Sequence, residues 1–223
     1  MSVANNSTIS RLEKQLTKRF GIMLDVKLAQ IEIWFLERRE GRVFAGLRFK
    51  TKRVSTRAGE LNPQLAHLLA LLSNPKESDV FGDPFAGYGA IPAARICYPY
   101  QKIICVEADL SRSDWLNDRF SDVADIEILS GDSLDGFSFD NKIDAIVTDP
   151  PWGLFDTCVK KEELYPQIIT MMERVLKNGS RFVLLTAQKG LVDTLFANSE
   201  VLSVGDTYNI LVSGKKVRVY VWD

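Results

Sequence analysis

Downstream of residue 78, short apolar runs of strand length alternate with segments of helical spacing, and this alternation restricts the fold more than any other feature of the chain. Strands are predicted at Asp79–Phe81, Lys102–Val106, Ile126–Leu129, Ile143–Thr148 and Arg181–Thr186, with helices near Gly89–Ala94, Ser111–Phe120, Glu162–Leu176 and Lys189–Ala197. Consecutive rather than alternating apolar residues mark strands buried on both faces. The implied architecture is therefore α/β, a mostly parallel sheet covered by helices on both sides. Ser203–Val212 and Lys216–Trp222, separated by Ser213-Gly214, predict a terminal antiparallel hairpin that completes a seven-stranded sheet.

The N-terminal stretch has a different rhythm. Ile9, Leu12 and Leu16 fall on one side of a helix running to Phe20, with Gly21 as its stop. Ile31, Ile33 and Phe35 then alternate, as do Val43, Ala45, Leu47 and Phe49, which predicts a β-hairpin turning near Glu40-Gly41. Asn62-Pro63 supplies a cap and first-turn pair for a helix through Leu72. With 223 residues, 46% of them hydrophobic, the chain can bury one substantial core plus a small appended element. The division expected is residues 1–60 (helix, hairpin and connector) and residues 61–223 (the α/β domain).

Formal net charge is −1, so the whole chain carries no argument for a polyanionic partner. The distribution does. Residues 1–60 hold 13 Lys and Arg against 6 Asp and Glu, whereas residues 61–223 hold 15 against 23. Arg38, Arg42, Arg48 and Lys50 on the hairpin, continued by Lys52, Arg53 and Arg57, form the candidate nucleic-acid footprint, the alternative being a solvated charged surface. A polar opening without a secretory pattern, and no apolar segment of spanning length, lead to the expectation of a cytoplasmic protein with no membrane partner. Cys97, Cys105 and Cys158 are odd in number and far apart, and His67 stands alone in an apolar run, so no metal site is expected.

Two loops carry the chemistry. Asp83-Pro84-Phe85-Ala86-Gly87-Tyr88-Gly89 follows the first strand of the α/β region, where Gly87 and Gly89 permit a tight turn and close approach of a ligand to the backbone. Such a turn also serves nicotinamide and flavin sites, but Pro92 stands where a dinucleotide fingerprint has its third glycine, and no Gly-Lys-Ser/Thr follows. Glu107, after the second strand, can accept hydrogen bonds from ribose hydroxyls, better placed than Asp109; Asp132, after the third, can accept from an adenine amine. The second loop, Asp149-Pro150-Pro151-Trp152-Gly153, is a grip for a flat amine. Asp149 and the Pro150 carbonyl can each accept an N–H, Pro150 and Pro151 stiffen the backbone, and Trp152 can stack on the attached ring. Together the loops point to methyl transfer from S-adenosylmethionine to an exocyclic base nitrogen, with base flipping if the target is paired.

The combination of Asp83–Gly89, Glu107-Ala108-Asp109, Gly131-Asp132 and Asp149–Gly153 resembles the Rossmann-like class I S-adenosylmethionine-dependent amino-methyltransferases, and among them the RNA guanine-N2 methyltransferases that often carry a THUMP domain. The resemblance covers most of residues 57–223, entered by Arg57-Ala58-Gly59-Glu60-Leu61-Asn62-Pro63. It implies a cofactor site of Asp83, Phe85, Gly87, Gly89, Glu107, Asp132 and Asp149, and a catalytic loop of Asp149, Pro150, Pro151 and Trp152. The implied substrate is a guanine N2 amine in tRNA or rRNA. Adenine N6 on DNA or RNA, and a noncatalytic RNA-binding or partner-activating role, stay open as alternatives. Ala86 and Tyr88 stand where that family has Cys and Ser. Sixty N-terminal residues are too few for a full THUMP module, which leaves RNA recognition to the basic hairpin, another protein or a dimer partner.

If the basic stretch is the footprint, neutralising Arg48, Lys50, Lys52 and Arg53 together should weaken RNA binding and flatten its dependence on salt. Each phosphate that a cation no longer neutralises lowers the log–log slope by about 0.7 on single strands, so the four substitutions together should remove about 3. Titrations across a salt series check it, and an unchanged slope removes the footprint.

Overall fold

The computed structural model describes residues 6–21, 25, 31–37, 43–49, 57–134, 143–153, 160–197 and 205–222. Arg38, Arg42, Lys50, Lys52, Arg53, Cys158, the Glu40-Gly41 turn and the expected strand start at Ser203 lie outside these residues. The chain divides into two compact units, Met1–Ser55 and Thr56–Asp223.

In the first unit, helix α1 (Asn6–Phe20) ends where Gly21 takes a φ of 64° and donates its N–H to the Thr17 carbonyl at 3.0 Å. Lys18 and Arg19 occupy its last turn, where positive charge complements the exposed carbonyls. Strands β1 (Ile31–Glu37) and β2 (Val43–Phe49) form the expected antiparallel pair, with Ile31 opposite Phe49 and Phe35 opposite Ala45. Arg48 is exposed, lies over the Trp34 ring and pairs with Glu32 at 3.5 Å. An exposed pair of this kind is weak and leaves the guanidinium exchangeable toward another anion.

The second unit begins with α2 (Pro63–Leu72). The Asn62 side chain accepts from the N–H groups of Gln64 and Leu65, the capping its sequence predicts. There follow β3 (Val80–Asp83), α3 (Ala90–Arg95), β4 (Lys102–Glu107), α4 (Leu110–Arg119), β5 (Ile126–Ser130) and β6 (Ile143–Thr148). The unit continues through α5 (Lys161–Val175), β7 (Leu176–Thr186), α6 (Lys189–Ala197), β8 (Thr207–Val212) and β9 (Lys215–Trp222). The seven strands are ordered β5-β4-β3-β6-β7-β9-β8. Strands β5 to β7 in that order pair in parallel, and β9 pairs antiparallel with both β7 and β8. Ser213 and Gly214, both at positive φ, make the two-residue turn between β8 and β9.

Strand residues alternate between two cores. Ile103, Cys105, Ala145, Val147, Val183, Leu185, Val217 and Val219 face α2, α3 and α4 on one side. Ile104, Val106, Ile146, Phe182, Leu184, Tyr220 and Trp222 face α5 and α6 on the other. This two-sided burial is why the strands read as continuous apolar runs. Strand β7 starts five residues earlier than expected, because Leu176 pairs with Ile143 before a register shift brings Arg181 opposite Ala145. Lys177 reaching Asp144 at 2.7 Å, and the Ser180 hydroxyl donating to the Ile143 carbonyl at 2.7 Å, hold the irregular stretch.

At the start of β3 a charge is sealed in the core. Arg95 is fully buried, pairs with Asp79 at 3.0 Å and donates to the carbonyls of Tyr98 and Pro99. Replacing it by Met strands Asp79 without its cation, and removing one member of a buried pair typically costs about 3–5 kcal/mol. Urea denaturation of Arg95→Met should show a loss on that scale, and a loss below about 1 kcal/mol would mean the pair is dispensable.

Candidate active site

The chain runs from β3 outward to β4 and β5, then crosses back to place β6 on the other side of β3. That reversal leaves a crevice beyond the carboxyl ends of β3 and β6, the position at which open α/β sheets bind ligands. Phe81 pairs with Ala145 and Gly82 with Ile146, so the two strands end side by side. Asp83 and Asp149 are thereby brought together although 65 residues separate Asp83 from the Thr148 hydroxyl that hydrogen-bonds it at 3.1 Å.

Asp83 has no solvent exposure, and its Oδ1 accepts from Thr148 and from the Phe85 N–H at 3.2 Å. Its Oδ2 is buried with no partner among the described residues. Burial pushes the Asp83 carboxyl up to about 8, and the nearby carboxylates of Asp149 and Glu107 push the same way. Burial also lifts Asp149, to about 7, against the lowering pull of its bond from the Trp152 indole N–H at 2.8 Å. Cys105, paired with Asp83 across β3 and β4, is buried, and burial raises its thiol well above the ordinary range.

Glu107 is nearly buried. Its Oε2 accepts from the Gly87 N–H at 2.8 Å and its Oε1 from the Asp109 N–H at 2.9 Å, so it braces the glycine turn as well as facing the crevice. Asp109 is committed elsewhere. It caps α4 through the N–H groups of Ser111 and Arg112, and its bond from the Ser111 hydroxyl leads the effects holding its carboxyl below the usual range. Asp132 is exposed beyond β5, with Oδ1 accepting from the Leu134 N–H at 2.9 Å.

The two glycines of the turn differ. Gly87, at φ 56°, has open space where a Cβ would stand, as close approach of a ligand requires. At Gly89, φ 81°, a Cβ would fall 2.7 Å from Leu116 and 2.8 Å from Phe120, so the absent side chain there serves packing against α4. Pro92 is the third residue of α3, in the first turn, where the N–H it lacks has no intrahelical acceptor.

In the second loop Pro150 is buried, Pro151 exposed, and Trp152 half-buried against the core. Gly153 takes a φ of 64°. Three residues that no sequence motif singles out buttress this loop. Gln188 donates to the Trp152 carbonyl, Tyr165 donates to the Pro151 carbonyl at 3.5 Å, and the Tyr165 hydroxyl shares a 2.6 Å bond with Thr186. Thr186 ends β7 at the same sheet edge, which is the one signal in the chain that could have marked it.

Over residues 113–217 the chain matches the family described as RMKL-like, methyltransferase domain. A tRNA (guanine(10)-N2)-dimethyltransferase of Methanothermobacter thermautotrophicus is 29% identical over 72% of this chain and 48% of its own length. Over these stretches the chain is similar in sequence to methyltransferases. A tRNA (guanine(6)-N2)-methyltransferase of Methanocaldococcus jannaschii is 22% identical over 98% of this chain and 69% of its own length. The chain therefore spans about half of one curated relative and about two thirds of the other. TrmN from Thermus thermophilus superposes with a TM-score of 0.66 at 22% identity, covering all of this chain and 68% of that one. The mixed sheet with helices on both faces is consistent with a class I-like methyltransferase fold.

A folded-state carboxyl pKa near 8 against 3.8 unfolded gives a definite sign. The unfolded chain gives up this proton first as pH rises, so the stability linked to neutral Asp83 is complete below about pH 4 and lost as pH climbs through 8. The slope is about 1.4 kcal/mol per pH unit for one proton. Asp83→Asn keeps the neutral shape and should gain on the parent steadily between pH 5 and pH 8 in urea unfolding. Parallel pH profiles would show that Asp83 is ionised in the folded protein.

Proposed function

We propose that the chain is an S-adenosylmethionine-dependent N-methyltransferase acting on an exocyclic base amine of RNA, with guanine N2 in tRNA or rRNA as the target. The observation that carries this reading is the meeting of Asp83 and Asp149 at the crevice between β3 and β6. Two relatives whose names specify guanine-N2 methylation of tRNA support the choice of amine and nucleic acid.

The residues present fit such a cofactor. The unpartnered Asp83 Oδ2 is a buried oxygen that becomes an acceptor for a cationic N–H when the carboxyl gives up its proton, and Gly87 leaves open space in the same turn. Each Glu107 oxygen holds one backbone N–H and retains a lone pair for a ribose hydroxyl. Exposed Asp132 is available to an adenine amine, and Phe85, half-buried between Asp83 and the glycine turn, supplies an apolar wall. When bound, the cofactor supplies an electrophilic methyl group for direct transfer to a nitrogen lone pair.

Asp149 and the Pro150 carbonyl orient the amine. Asp149 also stabilises the positive charge that develops on its nitrogen. Because the Trp152 N–H holds Asp149 Oδ1, Oδ2 is the oxygen left to face the substrate, and the indole is fixed beside it as a stacking wall. Tyr165, Thr186 and Gln188 keep this loop in place before substrate arrives, so little ordering remains to be done at the moment of reaction. No nucleophilic side chain is needed.

Asp149→Ala should suppress methyl transfer by about 100-fold or more, the usual scale for removing one transition-state partner. It should leave much of donor binding intact. Equal turnover in variant and parent would reject the assigned role. Incubating RNA and DNA with labelled donor, then resolving nucleosides by mass, tests the acceptor: N2-methylguanosine supports the proposal and N6-methyladenine alone replaces it. A parent that binds no donor in calorimetry at millimolar concentration points instead to a noncatalytic, RNA-binding relative.

A further inference from the structure

Tyr88 stands in the donor turn where the resembling family has Ser, and the structure surrounds it with side chains from two distant segments. The Arg57 guanidinium lies 3.7 Å from the centroid of the Trp115 ring and 5.5 Å from that of Tyr88. On Tyr88 a second guanidinium, that of Arg112, lies 5.4 Å from the ring centroid and 3.8 Å from Glu107 Oε1. Trp115, Arg57, Tyr88 and Arg112 thus form a ladder of alternating rings and guanidiniums that ends on the carboxylate holding the Gly87 N–H.

The main chain of Tyr88 is held as well. Arg119 donates to the Tyr88 carbonyl and pairs with Glu60 at 2.9 Å, while Glu60 accepts from the Arg57 N–H at 3.0 Å. Residues 57–60 therefore grip the turn twice, by ring and by carbonyl. All of these contacts lie within the second compact unit.

We infer that Arg57 and Glu60 are positioning residues for the donor turn, acting through Tyr88 to fix Gly87 against Glu107. The inference rests on the cofactor reading above. The interactions of both residues run to Tyr88, Trp115 and Arg119, so their effect is on the geometry of the turn rather than on its chemistry. Tyr88 is then a functional part of the site, because serine offers no ring for either guanidinium.

The first test needs no donor. Amide hydrogen exchange at Gly87 is followed in the parent, Arg57→Ala, Arg57→Lys, Tyr88→Ser and the Arg57→Ala, Tyr88→Ser double variant. Removing a cation–π interaction of this kind corresponds to roughly fivefold faster exchange in Arg57→Ala. Arg57→Lys recovers part of the protection, and in the Tyr88→Ser background Arg57→Ala has no further effect. Unchanged Gly87 exchange in Arg57→Ala, or an effect of equal size with and without Tyr88, overturns the inference.

The second test is kinetic. Arg57→Ala should raise the KM for S-adenosylmethionine roughly fivefold, the scale of one cation–π contact, and Glu60→Gln should raise it by up to about fivefold, the scale of one ion pair, with kcat near the parent value in both. A KM unchanged in both variants overturns the claim that the ladder serves the donor. If the parent binds no donor, the proposed function fails, yet the exchange comparison still decides whether the ladder fixes the turn.

Discussion

The parallel pairing of β3 with β6 is the constraint on which the site depends. Only two register pairs join these strands, yet they set the ends of Asp83 and Thr148 side by side at the reversal in strand order. Each half of the site draws on both cores: the turn after β3 leans on α4 through Gly89 while its Phe85 packs on the α5–α6 side, and the loop after β6 is propped by α5 and the end of β7 while its Trp152 packs on the α2–α4 side. The crevice exists because both cores are packed against one sheet. Any substitution that separates β3 from β6 would disperse the two carboxylates without touching either loop.

Burial gives these carboxylates different characters from the same chemistry. Asp83, wholly enclosed, is held near 8 and retains its proton at neutral pH, while Asp149, half-buried and bonded to an indole, sits near 7. Asp109, just beyond the nearly buried Glu107 at the end of β4, is spent on capping a helix and titrates low. An aspartate's role here follows from whether water, a backbone N–H or another carboxylate is its nearest neighbour. Two protonatable groups in one crevice also mean that a cationic ligand meets less standing negative charge than the residue count suggests.

Much of this was legible in the sequence because the signals were local. Ile143–Thr148 and Lys189–Ala197 match their elements to the residue, and Asn62 caps α2 as its position before Pro63 requires. The irregular start of β7 was not legible, since the register shift depends on Lys177 finding Asp144 across 33 residues. Gly89 reads like Gly87 along the chain, and only the Leu116 and Phe120 side chains distinguish packing from ligand space. Tyr165 lies 14 residues from the Pro151 carbonyl and 21 from Thr186, and Gln188 lies 36 from the Trp152 carbonyl, beyond any periodicity or spacing. Tyr88 looked like a departure from a pattern; its neighbours give it a task.

Strand β9 lies between β7 and β8 although it follows both in the chain. On a ribosome, β7 must wait with one edge unpaired while α6 and β8 are made, and the pairing of Val183 with Val221 forms only when the last described strand emerges. Trp222 then completes the stack with Phe182 and Phe196. Val217, Val219 and Val221 close the α2–α4 side at the same moment, so both cores gain their last strand together. A nascent chain would already hold Tyr165, Thr186 and Gln188 before β9 emerges, so the order of translation closes the sheet behind both halves of the crevice in one step rather than in two.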